Sequence, residues 1–314
     1  MYINATGYYV PEERVHNEHF FNLNGLTSEW IEQRTGIRTR SKAKPKENIN
    51  TMGIEAVRNA LPKLPYDIKE VDLIIQASYS PYDTVATGAH EVQCLFAMEN
   101  AKALYVSSAC SSFLNAIEIV EGYFAMNKAT KALILGADKN SAYYNETDSK
   151  AGHLWGDAAA VFFLSKERYS DKEAEIIDIY TEGLGHVGKG PTAVHLRPLH
   201  GGISMPEGKD VFVQACTYMP KNMMYLLEKN GYSLDELTYF IGHQANMRIM
   251  SNIAKQLNLP ESKILQNITE LGNTGSVSSA LVYAQYADTF ESGNLICMTV
   301  FGGGYSAGAC LIKF

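Results

Sequence analysis

The sequence predicts an α/β fold made of two similar halves, and three observations carry that prediction. Short, almost wholly apolar runs alternate with stretches of helical period along the 314 residues, as expected for strands buried between helices. A pattern early in the chain returns late: Asp67-Ile68-Lys69-Glu70 ahead of Leu73-Ile74-Ile75 is echoed by Leu234-Asp235-Glu236-Leu237 ahead of Tyr239-Phe240-Ile241. The composition, 46% hydrophobic and 19% charged, supplies a sizeable core and excludes a disordered polymer.

Taken in order, Met52–Leu61 reads as an amphipathic helix. Val71–Ala77, Ala103–Val106, Ala132–Leu135 and Ala159–Leu164 read as buried strands, and Phe113, Leu114, Ala116, Ile117 and Val120 as a helix apolar nearly all round. The polar run Ser165–Glu173 joins the halves, placed at 1–168 and 169–314. Residues 183–210 are rich in Gly, Pro and His with little periodicity, the signature of a long functional loop. Tyr239–Ile241 and Leu295–Val300 are strands of the second half, and Ile249, Met250, Ile253, Ala254 and Leu257 mark one helix face between them. A second echo pairs Gly156–Phe163 with Ser306–Ile312, each a small-residue turn feeding an apolar strand.

Charge and cysteine usage narrow the partners. The net charge of −7, from 27 basic and 34 acidic residues, argues against general nucleic-acid binding, so an acidic partner must dock on a local basic patch. No run reaches about 18 apolar residues, so no membrane span is expected. The start Met1-Tyr2-Ile3-Asn4-Ala5 lacks a signal-peptide pattern. Cysteines 94, 110, 216, 297 and 310 are odd in number and contain no C-x-x-C pair, which points to a reducing cytoplasm.

Four positions carry candidate chemistry. Cys110 follows a strand and three small residues and precedes a helix, where the helix N-terminus is expected to lower the thiol pKa; the alternative is a packed, inert cysteine. His243 stands at another strand end, where a helix start is expected to keep it neutral, or else it caps or fills the core. Asn273, in Gly272-Asn273-Thr274-Gly275, is equally consistent with an ordinary turn. Phe301-Gly302-Gly303-Gly304 offers backbone N–H groups for an oxyanion. Gly183-Leu184-Gly185-His186-Val187-Gly188 matches the dinucleotide fingerprint in letters, but Lys189-Gly190-Pro191 follows where a helix is required. His186, His195 and His200 in that loop lack ligand spacing, so no metal is expected.

Cys, His and Asn, each after a strand, together with the terminal glycine run, resemble the β-ketoacyl-acyl-carrier-protein synthase III family of thiolase-fold condensing enzymes. The resemblance runs nearly end to end, through Glu29–Arg38, Ser108-Ala109-Cys110-Ser111-Ser112-Phe113, Gly156-Asp157, Gly242–Arg248, Gly272-Asn273-Thr274 and Phe301–Gly304. It implies a five-layer αβαβα arrangement and decarboxylative Claisen condensation of an acyl thioester with malonyl-acyl-carrier protein through an acyl-Cys110 intermediate. His243 and Asn273 would stabilise the enolate, and the N–H groups of Cys110 and Gly303 would form the oxyanion hole. Trp30, Arg34, Asn246 and Arg248 would line the pantetheine or coenzyme A tunnel. Val85, Met205 and Phe301 would belong to the acyl pocket, and Arg248 and Lys255 would dock an acidic carrier. No cofactor is implied beyond the coenzyme A or phosphopantetheine that substrates carry, and a homodimer is expected.

Three departures from the family pattern stand out. Thr147-Asp148-Ser149-Lys150 occupies the place of an adenine-stacking Arg, Val213 lies near that of a basic docking residue, and Val85 replaces a bulkier Phe. They suggest a specialised, dialkylresorcinol-type ketosynthase of secondary metabolism as the alternative. Acyl transfer without decarboxylation and a non-catalytic partner subunit are further alternatives, against which Asn273 and Cys110 argue respectively.

Overall fold

The computed structural model describes residues 1–314. Its first part runs β1 (Tyr2–Tyr9), β2 (Glu13–His16), α1 (Glu18–Asn24), α2 (Ser28–Thr35), β3 (Thr39–Lys42), α3 (Ile49–Ala60), β4 (Leu73–Ala77), α4 (Gly88–Leu95), β5 (Lys102–Val106), α5 (Ser112–Ala125), β6 (Lys131–Asp138) and β7 (Ala158–Ser165). The rest runs β8 (Ala174–Gly183), β9 (His195–Arg197), β10 (Gly202–Ser204), α6 (Gly208–Lys229), β11 (Tyr239–Gly242), α7 (Met247–Leu257), α8 (Ile268–Leu271), α9 (Ser278–Tyr286), β12 (Leu295–Gly302) and β13 (Ser306–Lys313).

One nine-stranded sheet contains the same plan twice. Its order is β5-β4-β6-β7-β1 and then, read outward, β8-β13-β12-β11. In the first segment β4 is parallel to β5 and β6, and β7 is antiparallel to both β6 and β1. In the second, β11 is parallel to β12, and β13 is antiparallel to both β12 and β8. A single parallel bridge, Phe240 to Ile264, stands beside β11 where β5 stands beside β4. The two segments join through β1 and β8 at Tyr2–Glu175 and Ile3–Ala174.

The sequence echoes have physical causes in this plan. Asp67 with Glu70, and Ser233 with Glu236, form capping boxes on single 3₁₀ turns that lead into β4 and β11, which hold matching places. The second echo falls on β7 and β13, the antiparallel strand of each segment.

Strand alternation sorts the core into layers. Ile74, Leu133, Leu135, Val161 and Phe163 pack with α3. Leu73, Ile75, Ile134 and Phe162 turn the other way, onto α5 and α9, and meet Ile296, Met298 and Val300 from the second segment. Cys297, Phe301 and Leu311 face outward onto α6 and α7. Helix, sheet, paired central helices, sheet and helix give the five expected layers. The centre is dense: Phe162 meets Phe113 edge-on at 5.0 Å and Tyr283 at 5.2 Å, so Phe162→Ala should cost about 3–5 kcal/mol.

Two expectations are refined. The 183–210 segment contains a small hairpin, β9 and β10, and only a single 3₁₀ turn, Gly190–Thr192, follows Gly188, so the dinucleotide fingerprint lacks its α-helix. The four cysteines other than Cys110 fall in helices or strands and read in the sequence as packing residues; Cys94 is instead exposed on α4, whereas Cys216, Cys297 and Cys310 are buried. No helix is long and apolar enough to cross a membrane.

Candidate active site

Cys110 lies two residues before α5, in a turn whose backbone is unusual at its neighbour. Ala109 adopts the left-handed conformation, φ 50°, which costs a non-glycine residue about 1–2 kcal/mol. The turn is held by Ser112, whose Oγ donates to the Ala109 carbonyl at 2.6 Å and accepts from the Ser108 N–H at 2.8 Å. The glycine run packs directly behind: a Cβ on Gly302 would stand 2.6 Å from the Cys110 nitrogen. Only a residue without a side chain permits that approach.

The electrostatics of Cys110 differ from the sequence expectation. Burial pushes its thiol up to about 12, and the charge of Asp138 adds to the rise. The N–H groups of Gly303 and of Cys110 itself bear on the sulfur and act in the opposite direction. Desolvation of a thiolate outweighs those dipoles, so the helix start alone does not generate a resting thiolate. The two N–H groups named for the oxyanion hole are the ones that bear on this sulfur.

His243 follows β11, and its N–H donates to the Thr299 carbonyl at 2.8 Å. It is 3% exposed, and burial holds its pKa down to about 4. This corrects the expected cause: α7 begins at Met247, behind the Asn246 cap, so burial and not a helix end keeps the ring neutral. Its Nδ1 lies 2.6 Å from Ser278 Oγ, which already accepts from the Gln244 N–H at 3.2 Å. The serine proton is therefore free to donate to Nδ1, which leaves the ring proton on Nε2.

Asn273 is held at both ends. Its N–H donates to the Leu154 carbonyl at 2.8 Å, and its own carbonyl accepts from the Gly156 N–H at 2.9 Å. Its Oδ1 accepts from the Gly275 N–H at 3.0 Å, so the amide nitrogen is the free donor. Gly275 has φ 71°, and a Cβ there would lie 2.4 Å from Asp138 Oδ2.

A cleft of ≈ 290 Å³ opens at Cys110 and is also lined by Tyr79, Trp155, His195, Ile203 and Gly303. A larger cavity, ≈ 710 Å³, lies elsewhere, near Ile3, Tyr283 and Phe314, and contains none of the candidate groups. Met205 packs beside Ile203 with the cluster around Trp155 and does not line the cleft. Phe301 also stands outside it, because β12 alternation turns Phe301 onto Tyr218 and Tyr305. Val85 is on the surface, 85% exposed.

The tunnel and docking candidates gather around one helix junction. Thr27 caps α2 by accepting from the Trp30 N–H, and Gly36 ends it at φ 79°. A Cβ on Gly36 would stand 2.5 Å from the Met247 Cβ, so α2 ends against the start of α7. Arg34 lies over the Trp30 ring at 5.3 Å and Arg248 over Phe212 at 6.0 Å. Asn246 caps α7 by accepting from the Arg248 N–H. Arg34, Arg248 and Lys255 are exposed.

Comparison with known proteins decides the family. The C-terminal model of 3-oxoacyl-[acyl-carrier-protein] synthase III matches residues 227–314, and the companion model of that family matches 105–184. The β-ketoacyl-[acyl-carrier-protein] synthase III of Pasteurella multocida is 31% identical across 99% of both chains. The chain belongs to the β-ketoacyl-acyl-carrier-protein synthase III family. The crystal structure of the Aquifex aeolicus family member superposes with a TM-score of 0.92, at 31% identity over 100% of this chain and 99% of that one. A priming β-ketosynthase from a polyketide biosynthetic pathway superposes at 0.90, with 26% identity over 99% and 95%.

Within this synthase III chain the sequence left two residues unmarked and had a third weighed for the wrong role. Ser278 sits in an unremarkable Ser-Val-Ser-Ser run, and only the fold brings it to His243. Asp138 ends β6 and accepts six hydrogen bonds, from Ser78, Tyr79, Ser80 and Ser276, tying the loop after β4 to the segment after Asn273. His195 was weighed only as a metal ligand, yet it lines the cleft.

Proposed function

We propose that the chain condenses an acyl thioester with malonyl-acyl-carrier protein, with loss of carbon dioxide, in the initiating manner of fatty-acid synthesis. The observation that supports this most directly is the Cys110 sulfur under the N–H groups of Cys110 and Gly303. In the first half-reaction the sulfur attacks the donor carbonyl, its C–S bond to the carrier breaks, and the Cys110 proton passes to the departing carrier sulfur, which leaves as the thiol. The two N–H groups hold the developing oxyanion. In the second, the malonyl carboxylate leaves as carbon dioxide and the electron pair forms an enolate. His243 Nε2–H and the Asn273 amide donate to that enolate oxygen, and its carbon attacks acyl-Cys110, breaking the thioester and releasing the Cys110 thiolate, which takes up a proton from solvent. Donors, and not a strong base, are what decarboxylation requires.

On this reading Trp30, Arg34, Asn246 and Arg248 guide pantetheine, and Arg248 with Lys255 receives the carrier. No cofactor takes part beyond the coenzyme A or phosphopantetheine of the substrates. Residues 1–168 supply the nucleophile and 169–314 the enolate donors. The protein works in the cytoplasm as a homodimer. A specialised ketosynthase of secondary metabolism is the second reading, favoured by the likeness to the polyketide priming enzyme.

The test is intact-mass spectrometry after incubation with acyl-CoA and acyl-carrier donors, paired with labelled carbon dioxide release from malonyl-carrier protein. A Cys110 adduct lost in Cys110→Ala supports the reading. No adduct with any donor overturns it.

A further inference from the structure

The cleft at Cys110 is mainly apolar but contains a histidine with unused hydrogen-bonding capacity. His195 opens β9 and pairs with Ser204 across the small hairpin, beside Val194 and Leu196, which also line the cleft. Its Nδ1 is enclosed by protein and has no partner. An enclosed nitrogen with no acceptor beside it favours a lone pair there, which places the proton on Nε2. Trp30, Arg34, Asn246 and Arg248 lie outside this cleft, so the pantetheine arm has its own candidate residues and the cleft is left to the acyl chain. At ≈ 290 Å³ it falls at the small end of ligand pockets, about 300–1,000 Å³.

We infer that His195 selects a short acyl donor bearing an oxygen substituent near its thioester, a keto or hydroxyl oxygen that accepts from the imidazole. This rests on the proposed acyl-Cys110 reading and names its donor class. A plain alkyl chain offers nothing to the Nε2–H, whereas an oxygenated one accepts from it; Nδ1 stays enclosed in either case.

The experiment compares butanoyl, 3-hydroxybutanoyl and 3-oxobutanoyl thioesters, reading the rate of Cys110 adduct formation by intact mass. The native protein should prefer at least one oxygenated donor by about fivefold or more over butanoyl, in keeping with one net hydrogen bond. His195→Leu should bring that ratio to about one, and His195→Gln, which keeps a donor, should retain part of it. Because each protein is compared with itself, partial loss of folded protein cancels. Comparison of the two oxygenated donors separates keto from hydroxyl recognition. Equal rates for all three in the native protein, or a preference unchanged in His195→Leu, overturns the inference while leaving the acyl-enzyme intact. No Cys110 adduct from these or any longer donor overturns the parent reading and this one together.

Discussion

His243 Nδ1 lies 2.6 Å from Ser278 Oγ, and this contact decides which side of the imidazole carries the proton. With Ser278 donating, Nε2–H is fixed as the hydrogen-bond donor on the opposite edge of the ring. Ser278→Ala should lower malonyl decarboxylation by about 10- to 100-fold, somewhat less than removal of a whole oxyanion donor, which costs about 10²–10³. Asn273→Ala should show that full loss. Both should leave Cys110 acylation nearly unchanged, since the first half-reaction uses other donors. Labelled carbon dioxide release against adduct mass measures the split. Equal loss of both half-reactions in Ser278→Ala would count against a positioning role.

Stability should fall on mild acidification. Burial holds His243 and His153 down to about 4, while an unfolded histidine titrates near 6.5. Between those values the unfolded chain binds protons that the folded one refuses, so the stabilising contribution present above 6.5 is lost as the pH falls toward 4. At pH 5 each histidine accounts for about 2 kcal/mol. Asp138 and Asp157 act the other way, because burial raises their folded pKa values and protonation then favours the fold. The expected net result is a lower urea midpoint at about pH 5 than at about pH 7.5. A midpoint that holds or rises would show that the carboxyls dominate.

Cys110 should be a slow thiol outside turnover. Its thiol, pushed up to about 12 by burial, is almost wholly protonated at neutral pH, and only the thiolate is nucleophilic toward alkylating agents. Alkylation of the Cys110 peptide should keep rising through about pH 10, beyond the point where an unperturbed thiol levels off near 8.5. Cys94, exposed on α4, should react first. Peptide mass spectrometry after timed iodoacetamide treatment reads both sites, and a Cys110 rate that plateaus below about pH 8 would contradict the burial argument.

Much of this was legible in the sequence because double burial leaves a simple mark. The strands around Leu73–Ala77, Ala158–Ser165 and Leu295–Gly302 are buried at every position, so they stand out as apolar runs without alternation. Cys110 and Asn273 were visible because each follows or precedes small residues at an element boundary. What sequence could not convey was environment. The same strand-to-helix turn that suggested a lowered thiol pKa is sealed by packing, which reverses the sign. Ser278 and Asp138 act across 35 and 138 positions, and nothing in their local patterns separates them from ordinary serines and strand-end carboxylates. Arg40 is the extreme case. It sits in Arg38-Thr39-Arg40 like a surface residue, yet it is fully buried and donates to the Val15 and His153 carbonyls and to Asn17 Oδ1.

The packing of the glycine run on the nucleophile turn gives a sharp mutational test. Gly302 ends β12 against the Cys110 backbone, and an added Cβ would lie 2.6 Å from the Cys110 nitrogen and 3.0 Å from its Cβ. Neither neighbour is the far end of a flexible side chain, so the conflict is relieved only by moving the nucleophile turn or the glycine strand. Either shift separates the sulfur from the Gly303 N–H that bears on it. A misplacement of about 1 Å can cost on the order of 100-fold in rate, so Gly302→Ala should lower Cys110 acylation by about that factor. Malonyl decarboxylation, measured by labelled carbon dioxide release, should fall less, because the His243 and Asn273 donors rest on Ser278 and Gly275. Near-native acylation in Gly302→Ala would show that the turn yields without displacing the sulfur, and that the approach of these two backbones is incidental to the chemistry.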